Sequence, residues 1–259
     1  MARYTSIHEI EARKRLESIR RVILVGSGKG GVGKSFVASG LALTLSARGH
    51  RTGILDLDIH GASLQNYLEV SPPVESGEDG LKPKMAGALR VMSIALFTGD
   101  NAVPMRGDKK QELIAELFSL TDWGKLEYLV VDLPPSTGDE LLSAFEIFSK
   151  KCSLVLVTTP AQNAVSVVSR LRQMAESERV PVEGIVVNMA YVIQGKKMKI
   201  APFGKFDPSL LEKRLGARVL TEIPLDPKVN SQSLRIVLAG HNAVSRGFAS
   251  LAEEVARKN

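Results

Sequence analysis

Apolar residues along this chain fall into two alternating patterns. Short runs rich in Val, Ile and Leu recur at 21–26, 52–56, 89–95, 127–132, 153–158, 183–188 and 217–222. Runs of this kind predict strands buried on both faces. Between many of them the apolar positions return every three or four residues, the period of a helix with one buried stripe. That spacing predicts helices over 108–120, 138–150, 162–178 and 247–257. An earlier stretch, 7–20, sets Ala12, Leu16 and Ile19 on one face among Glu11, Arg13, Lys14, Arg15 and Glu17. It reads as a helix packed on the domain or as a partner surface. Strands alternating with helices predict an α/β fold, a mostly parallel sheet with helices on both faces. Residues 71–84 are rich in Pro, Gly and charge and read as an exposed loop, too short for an interdomain linker. No internal repeat divides the chain, so 21–259 reads as a single domain preceded by a helical extension over 1–20.

Composition narrows the class without naming it. The 259 residues are 44% apolar and 24% charged, the balance of an ordinary globular protein. No apolar run approaches the roughly 20 residues needed to span a bilayer. The first residues hold no apolar signal core, so the expected location is cytoplasmic. The end of the chain, 248–259, carries two central glutamates and little apolar bulk, which argues against a membrane-anchoring tail. The single cysteine, Cys152, begins an apolar run and reads as a small buried residue. One cysteine allows neither an intrachain disulfide nor a multi-cysteine metal site within one chain. The net charge of +6 is spread along the sequence, apart from Lys196, Lys197 and Lys199. That is weak support for a nucleic-acid partner, and none is expected.

The most informative stretch is Gly28-Lys29-Gly30-Gly31-Val32-Gly33-Lys34-Ser35. It satisfies G-x-x-x-x-G-K-[ST], with an extra lysine after the first glycine. Glycines let successive backbone N–H groups point into one concavity that holds a polyphosphate. Lys34 can reach the terminal phosphates and the Ser35 hydroxyl can bind Mg²⁺. The context agrees. Val22-Ile23-Leu24-Val25 before the loop reads as a buried strand, and Phe36 opens a helical run to Leu45. A helix N-terminus adds its dipole and free N–H groups to such an anion site.

Acids follow where this chemistry needs them. Asp56 and Asp58 end an apolar strand, two apart and so facing the same way if the strand is regular. One could support Mg²⁺ and the other orient a water. Asp132 ends the aliphatic run 129–131, as a Mg²⁺-supporting carboxylate of a phosphate-loop enzyme does. Pro134-Pro135-Ser136-Thr137-Gly138 cannot continue that strand and makes a defined loop of the kind that senses a terminal phosphate. Asn188 ends a later strand, and its amide can both donate to and accept from a base edge. Pro224 and Asp226 lie in a later loop, 223–227. His60 is a lone loop histidine with no assigned role.

With its extra Lys29, the glycine loop resembles the deviant Walker motif of the ParA/MinD-type ATPases. Within that group the chain is most similar to the Mrp/ApbC branch, the scaffold and carrier ATPases of iron–sulfur cluster assembly. The matching pieces are 56–63, Met105-Arg106-Gly107, Trp123-Gly124, 126–128, 130–139, 157–160, Asn188-Met189 and 223–227, in family order from about residue 20. The resemblance implies a P-loop NTPase fold, bound ATP and Mg²⁺, and a homodimer that forms with ATP. It implies that Lys29 reaches across the dimer to the partner's ATP, that Asp58 positions the attacking water, that Asp132 supports Mg²⁺ and that Asn188 contacts adenine. The candidate catalytic residues are therefore Lys29, Lys34 and Asp58. The nucleotide-binding candidates are Gly28 through Phe36 with Asn188, Pro224 and Asp226, and the metal candidates are Ser35, Asp56 and Asp132.

One departure bears on function. The family usually carries a C-x-x-C pair shortly after Asn-Met, and two chains share one cluster through it. Here Gln194 and Lys197 align with those positions, and neither replaces a thiolate in holding iron. Ser136, Ala62 and Phe36 also depart from the usual residues, without removing a catalytic group. Three readings follow. The chain is a cluster-assembly ATPase that works with a cysteine-bearing partner or binds a cluster by another route, a ParA/MinD-like positioning ATPase with no cluster, or a nucleotide-binding regulator without turnover.

Overall fold

The computed structural model describes residues 7–58, 64–98, 107–135, 138–148, 151–194, 198–204 and 206–257. Twelve strands occur among them: β1 (Ile19–Gly26), β2 (Thr52–Asp56), β3 (Glu75–Gly77), β4 (Gly80–Lys82), β5 (Lys84–Ala86), β6 (Leu89–Ser93), β7 (Leu126–Asp132), β8 (Cys152–Thr158), β9 (Val182–Val187), β10 (Val192–Gln194), β11 (Met198–Ile200) and β12 (Val219–Glu222). Eight form one sheet in the order β12-β9-β8-β1-β7-β2-β6-β5. It is parallel except for β5, which runs antiparallel to β6.

The aliphatic runs become central strands because both faces are covered. Along β1, Val22 and Leu24 enter one core, and Ile23 and Val25 enter the other. The first core packs beneath helices Ile7–Glu17, Gly107–Leu120, Asp139–Phe148, Gln162–Ser177 and Pro208–Leu215. The second packs beneath Lys34–Ala47, Leu64–Leu68, Leu234–Ala239 and Ala243–Arg257. Helix Lys34–Ala47 is buried around most of its circumference, and Gly40 admits the Phe248 ring, which would meet a Cβ there at 2.2 Å. Strand order reverses at β1, and a ligand crevice is expected beyond its carboxyl end.

Several boundaries differ from the sequence expectation. β1 starts at Ile19, taking the last two residues of the expected helix 7–20, and that helix buries Ala12 and Leu16 on the domain. The segment 71–84 is not a plain loop: β3 and β4 form an antiparallel hairpin and Lys84 opens β5. Each of these strands has three residues, most of them exposed or half-buried, so no apolar run announces them. The expected strand 89–95 stops at Ser93 and turns into helix Ile94–Thr98. The final helix begins at Ala243, four residues early, and β12 begins at Val219.

Candidate functional site

The glycine loop leaves β1 at Gly26 and enters helix Lys34–Ala47. Gly31 and Gly33 have φ of 80° and 83°, a left-handed backbone that side chains resist. Gly28 presses on the Val167 backbone, which a Cβ would meet at 2.4 Å. Gly30 and Gly31 face open space, so the inner curve of the loop is free for a ligand. The loop is braced from within and from across the sheet. The Ser27 hydroxyl donates to the Lys29 carbonyl at 3.0 Å, and the Asn188 amide donates to the Val32 carbonyl at 2.9 Å. A Cβ on Gly33 would lie 2.2 Å from that same Asn188 nitrogen.

Register brings the acids together. Asp132 pairs with Val25 on one side and with Asp56 on the other, at the carboxyl ends of β1, β7 and β2. Lys34, only 5% exposed, sits on Asp132 with Nζ 2.7 Å from Oδ1, and lies 3.8 Å from Asp58 Oδ2. Its ammonium is also 3.5 Å from the Ser35 hydroxyl. Asp132 Oδ2 is buried and accepts no hydrogen bond among the described residues. Asp56 is engaged at both oxygens: Oδ1 accepts from the Asp58 N–H at 2.9 Å, and Oδ2 from the Ser93 hydroxyl at 3.0 Å.

The electrostatics follow from burial. Desolvation pushes the Asp56 carboxyl up to about 7 and the neighbouring Asp132 charge adds to the rise, against the Asp58 N–H, Lys34 and Ser93. Desolvation also raises Asp132, and the Lys34 ammonium pulls it back. One lysine therefore serves three carboxylates in a dry place.

Lys29, Gly30, Gly31, Gly33, Lys34, Ser35, Phe36 and Asp58 line a cleft of about 450 Å³, together with Ser27, Tyr67, Pro135 and Met189. A second cleft of about 280 Å³ adjoins it through Gly33, Phe36, Tyr67 and Met189, and is completed by Asn188, Pro224, Leu225, Asp226, Pro227, Val229 and Asn230. Lys29 is exposed at the mouth of the first cleft. The sequence reading thus named most of the lining. Pro135 comes from the loop expected beside the terminal phosphate, and Met189 was named only as part of a matching motif; Ser27, Tyr67 and Ser93 behind Asp56 were missed. Ser93 ends a strand beside Asp56 in register, which was a usable signal; Tyr67 and Met189 arrive from loops and a short helix with no pattern of their own.

Other expected residues fall elsewhere. His60, Ala62, Met105, Arg106, Ser136, Thr137, Lys196 and Lys197 lie outside the described residues. Gln194 ends β10, exposed. Cys152 begins β8, paired with Val22 at the end of the sheet away from the cleft. Burial pushes its thiol up to about 12. No group of three or more His, Cys, Asp or Glu able to hold a metal ion occurs among the described residues, and none of their helices is long and apolar enough to cross a membrane.

Known proteins are similar to this chain over most of its length. Residues 18–256 match the family described as ParA, NUBPL iron-transfer P-loop NTPase. The iron–sulfur cluster carrier protein of Saccharolobus solfataricus is 33% identical over 228 residues, covering 85% of this chain and 76% of that protein. The cytosolic Fe-S cluster assembly factor NUBP2 homolog of Nematostella vectensis is 38% identical over 224 residues, 83% of each. The nucleotide-binding protein of Archaeoglobus fulgidus, solved in complex with ADP, superposes with a TM-score of 0.76 at 33% identity, covering 88% of this chain and 90% of that one. Matched over residues 18–256 and by relatives that are a third or more identical over most of its length, the chain that builds this cleft belongs to the ParA family of iron-transfer P-loop NTPases.

Proposed function

We propose that this chain is a Mg²⁺-dependent ATPase of the Mrp/ApbC type, working as an ATP-gated homodimer in iron–sulfur cluster assembly in the cytoplasm. The observation that carries the reading is the convergence of Lys34, Ser35, Asp58 and Asp132 at the closed end of the glycine cleft. ATP would lay its phosphates along the loop N–H groups and its base in the adjoining cleft beside Asn188, Pro224 and Asp226. Lys34 would turn from Asp132 to the terminal phosphates. Asp58, at the cleft wall, would orient the water that attacks the γ-phosphorus as the bond to ADP breaks.

The donor set suits Mg²⁺. Asp132 Oδ2 is a buried carboxylate oxygen without a partner among the described residues, and the Ser35 hydroxyl is close by. Mg²⁺ prefers a few such oxygens completed by phosphate and water, and when bound it neutralises phosphate charge. Asp56 has both oxygens engaged, so its part would be to hold the Asp58 backbone and not to ligate directly. Lys29, exposed at the cleft mouth, is free to serve a facing subunit's nucleotide.

An iron–sulfur cluster would be cargo, and this chain's own donors do not fit it. Gln194 and Lys197 stand where the family has thiols, and Cys152 is buried at the wrong end of its strand. The thiolates would come from a partner protein. The same observation supports a second reading, a ParA/MinD-like positioning ATPase with no cluster. The test of the ATPase reading is calorimetry with Mg-ATP alongside phosphate release. Lys34→Ala should lose binding, and Asp58→Ala should bind ATP without turning it over. Unchanged ATP affinity in Lys34→Ala, or normal turnover in Asp58→Ala, refutes the assignment.

A further inference from the structure

The two clefts meet at four residues, Gly33, Phe36, Tyr67 and Met189, which line both of them. A nucleoside triphosphate with its phosphates on the glycine loop and its base beside Asn188 and Pro224 must carry its sugar across that junction. Ribose brings hydroxyls there, and hydroxyls taken out of water need partners. Gly33 has no side chain, Phe36 offers only a ring, and the Met189 thioether is a weak acceptor. Among the described residues, the Tyr67 phenol is therefore the one strong side-chain hydrogen-bonding group at the junction. Asn188, Asp226 and Asn230 line the base cleft and do not reach the phosphate cleft.

The Tyr67 ring is held in place while its hydroxyl is left open. Tyr67 sits on the short helix Leu64–Leu68, whose Leu64 and Leu68 are buried in the core. Its ring packs on Phe36 with centroids 5.8 Å apart, and Phe36 meets Phe248 edge-on at 5.3 Å. The side chain is half-buried, and its hydroxyl makes no hydrogen bond to another described residue. Burial, together with the charge of Asp132, raises the phenol above its ordinary 10. It stays protonated, able both to donate and to accept.

We propose that Tyr67 reads the sugar of the bound nucleotide: its phenol hydrogen-bonds a ribose hydroxyl at the junction and makes the site prefer ribonucleotides to nucleotides that lack those hydroxyls. The inference rests on the nucleotide reading of the clefts and gives a role to a residue outside both the phosphate loop and the strand-end acids. A site that bonds a hydroxyl leaves its own polar group unpaired when the hydroxyl is missing, and that is the source of its discrimination. On this assignment the phenol does not serve the phosphates, so an inorganic polyphosphate does not sense it.

The test is calorimetry on the full chain with Mg²⁺, comparing ATP, 2′,3′-dideoxyadenosine triphosphate and tripolyphosphate on wild type and on Tyr67→Phe. That substitution keeps the ring and its packing on Phe36 and removes only the hydroxyl, so the unfolding midpoint without ligand should not move. Wild type should bind ATP at least about fivefold more tightly than the dideoxy compound, the worth of roughly one hydrogen bond. In Tyr67→Phe the affinity for ATP should fall to that of the dideoxy compound, while the dideoxy compound and tripolyphosphate stay within about twofold of their wild-type values. An equal loss for all three ligands would make the hydroxyl a structural or phosphate-binding group and overturn the proposal. So would a sugar preference that survives in Tyr67→Phe, or a wild type with no preference. These results leave ATP binding by the wild type intact and so sink the inference alone, whereas a wild type that binds none of the three ligands overturns the nucleotide reading and the inference with it.

Discussion

Asp56 offers the sharpest physical test of the site, through Asp56→Asn. The side chain is almost wholly buried beside Asp132, and its carboxyl is raised from the ordinary 3.8 to about 7. A folded-state value above the unfolded one means that the folded protein binds the proton more tightly. The stability this confers is therefore full below about pH 4 and is lost as pH rises through about 7. Three pKa units at about 1.36 kcal/mol each make the loss roughly 4 kcal/mol at pH 8, an upper limit because Asp56 and Asp132 titrate together. Asparagine has the shape of the protonated acid and never ionises. Its carbonyl can keep the Asp58 N–H bond, while its amide must face the Ser93 hydroxyl, which now has to turn. Urea unfolding of the nucleotide-free protein at pH 5 and pH 8 reads the difference. At pH 5 the variant should match wild type within about 1 kcal/mol, and at pH 8 it should be more stable by about 2–4 kcal/mol. The same change should reduce the stabilisation conferred by Mg-ATP, because a bound cation reverses the local penalty on the carboxylate. A stability difference that is the same at both pH values, or a variant less stable at pH 8, would refute the electrostatic account.

Other outcomes follow from the same geometry. Lys29→Ala should keep ATP affinity within about twofold in calorimetry and lose turnover, with wild-type specific activity rising as protein concentration passes through dimerisation; concentration-independent activity from a monomer would refute this. Chelating Mg²⁺ should weaken ATP binding at least about tenfold, since Lys34 moving to phosphate strands a buried Asp132 charge, and equal affinity with and without the metal would disprove that coupling. Anaerobic reconstitution of the unmodified chain should leave little retained iron, and Gln194→Cys with Lys197→Cys should raise it; stoichiometric iron on the unmodified chain would mean that other ligands exist.

The nucleotide cleft was legible because its grammar is local. Eight consecutive residues specify the loop, a preceding aliphatic run its strand, and acids at later strand ends its far wall. Parallel register then did the assembly, since Val25, Asp132 and Asp56 become neighbours once β1, β7 and β2 align. What stayed hidden were features made by tertiary contact. Asn188 was expected to meet a base, and its side chain also braces the Val32 carbonyl, a contact across 156 residues that no spacing reveals. Helix Pro208–Leu215 carried visible signals that went unread. Asp207 caps it by accepting from the Ser209 N–H at 2.9 Å, Pro208 opens it, and Gly216 closes it at φ 57°. The ribbons β3–β4 and β10–β11 have three-residue strands that bury too little to write a period into the sequence.

In the proposed ATPase, the charge balance around Lys34 would join nucleotide and metal in one binding event. Among the described residues, the cation that Asp132 pairs with is Lys34, at Oδ1. Drawing Lys34 onto a phosphate removes that partner from a carboxylate that water does not reach. A buried charge without a partner costs several kcal/mol, so on the proposed reading a metal-free nucleotide would be disfavoured. Asp58, 3.8 Å from the same ammonium, feels the same withdrawal, and its backbone is tied to Asp56. One lysine thus links the charge state of three acids to the presence of phosphate. In the proposed ATPase a divalent cation held by Asp132 and Ser35 would supply the charge that Lys34 withdraws, with Asp58 on the cleft wall. From there the Asp58 carboxylate would accept a hydrogen bond from the attacking water that the proposal requires.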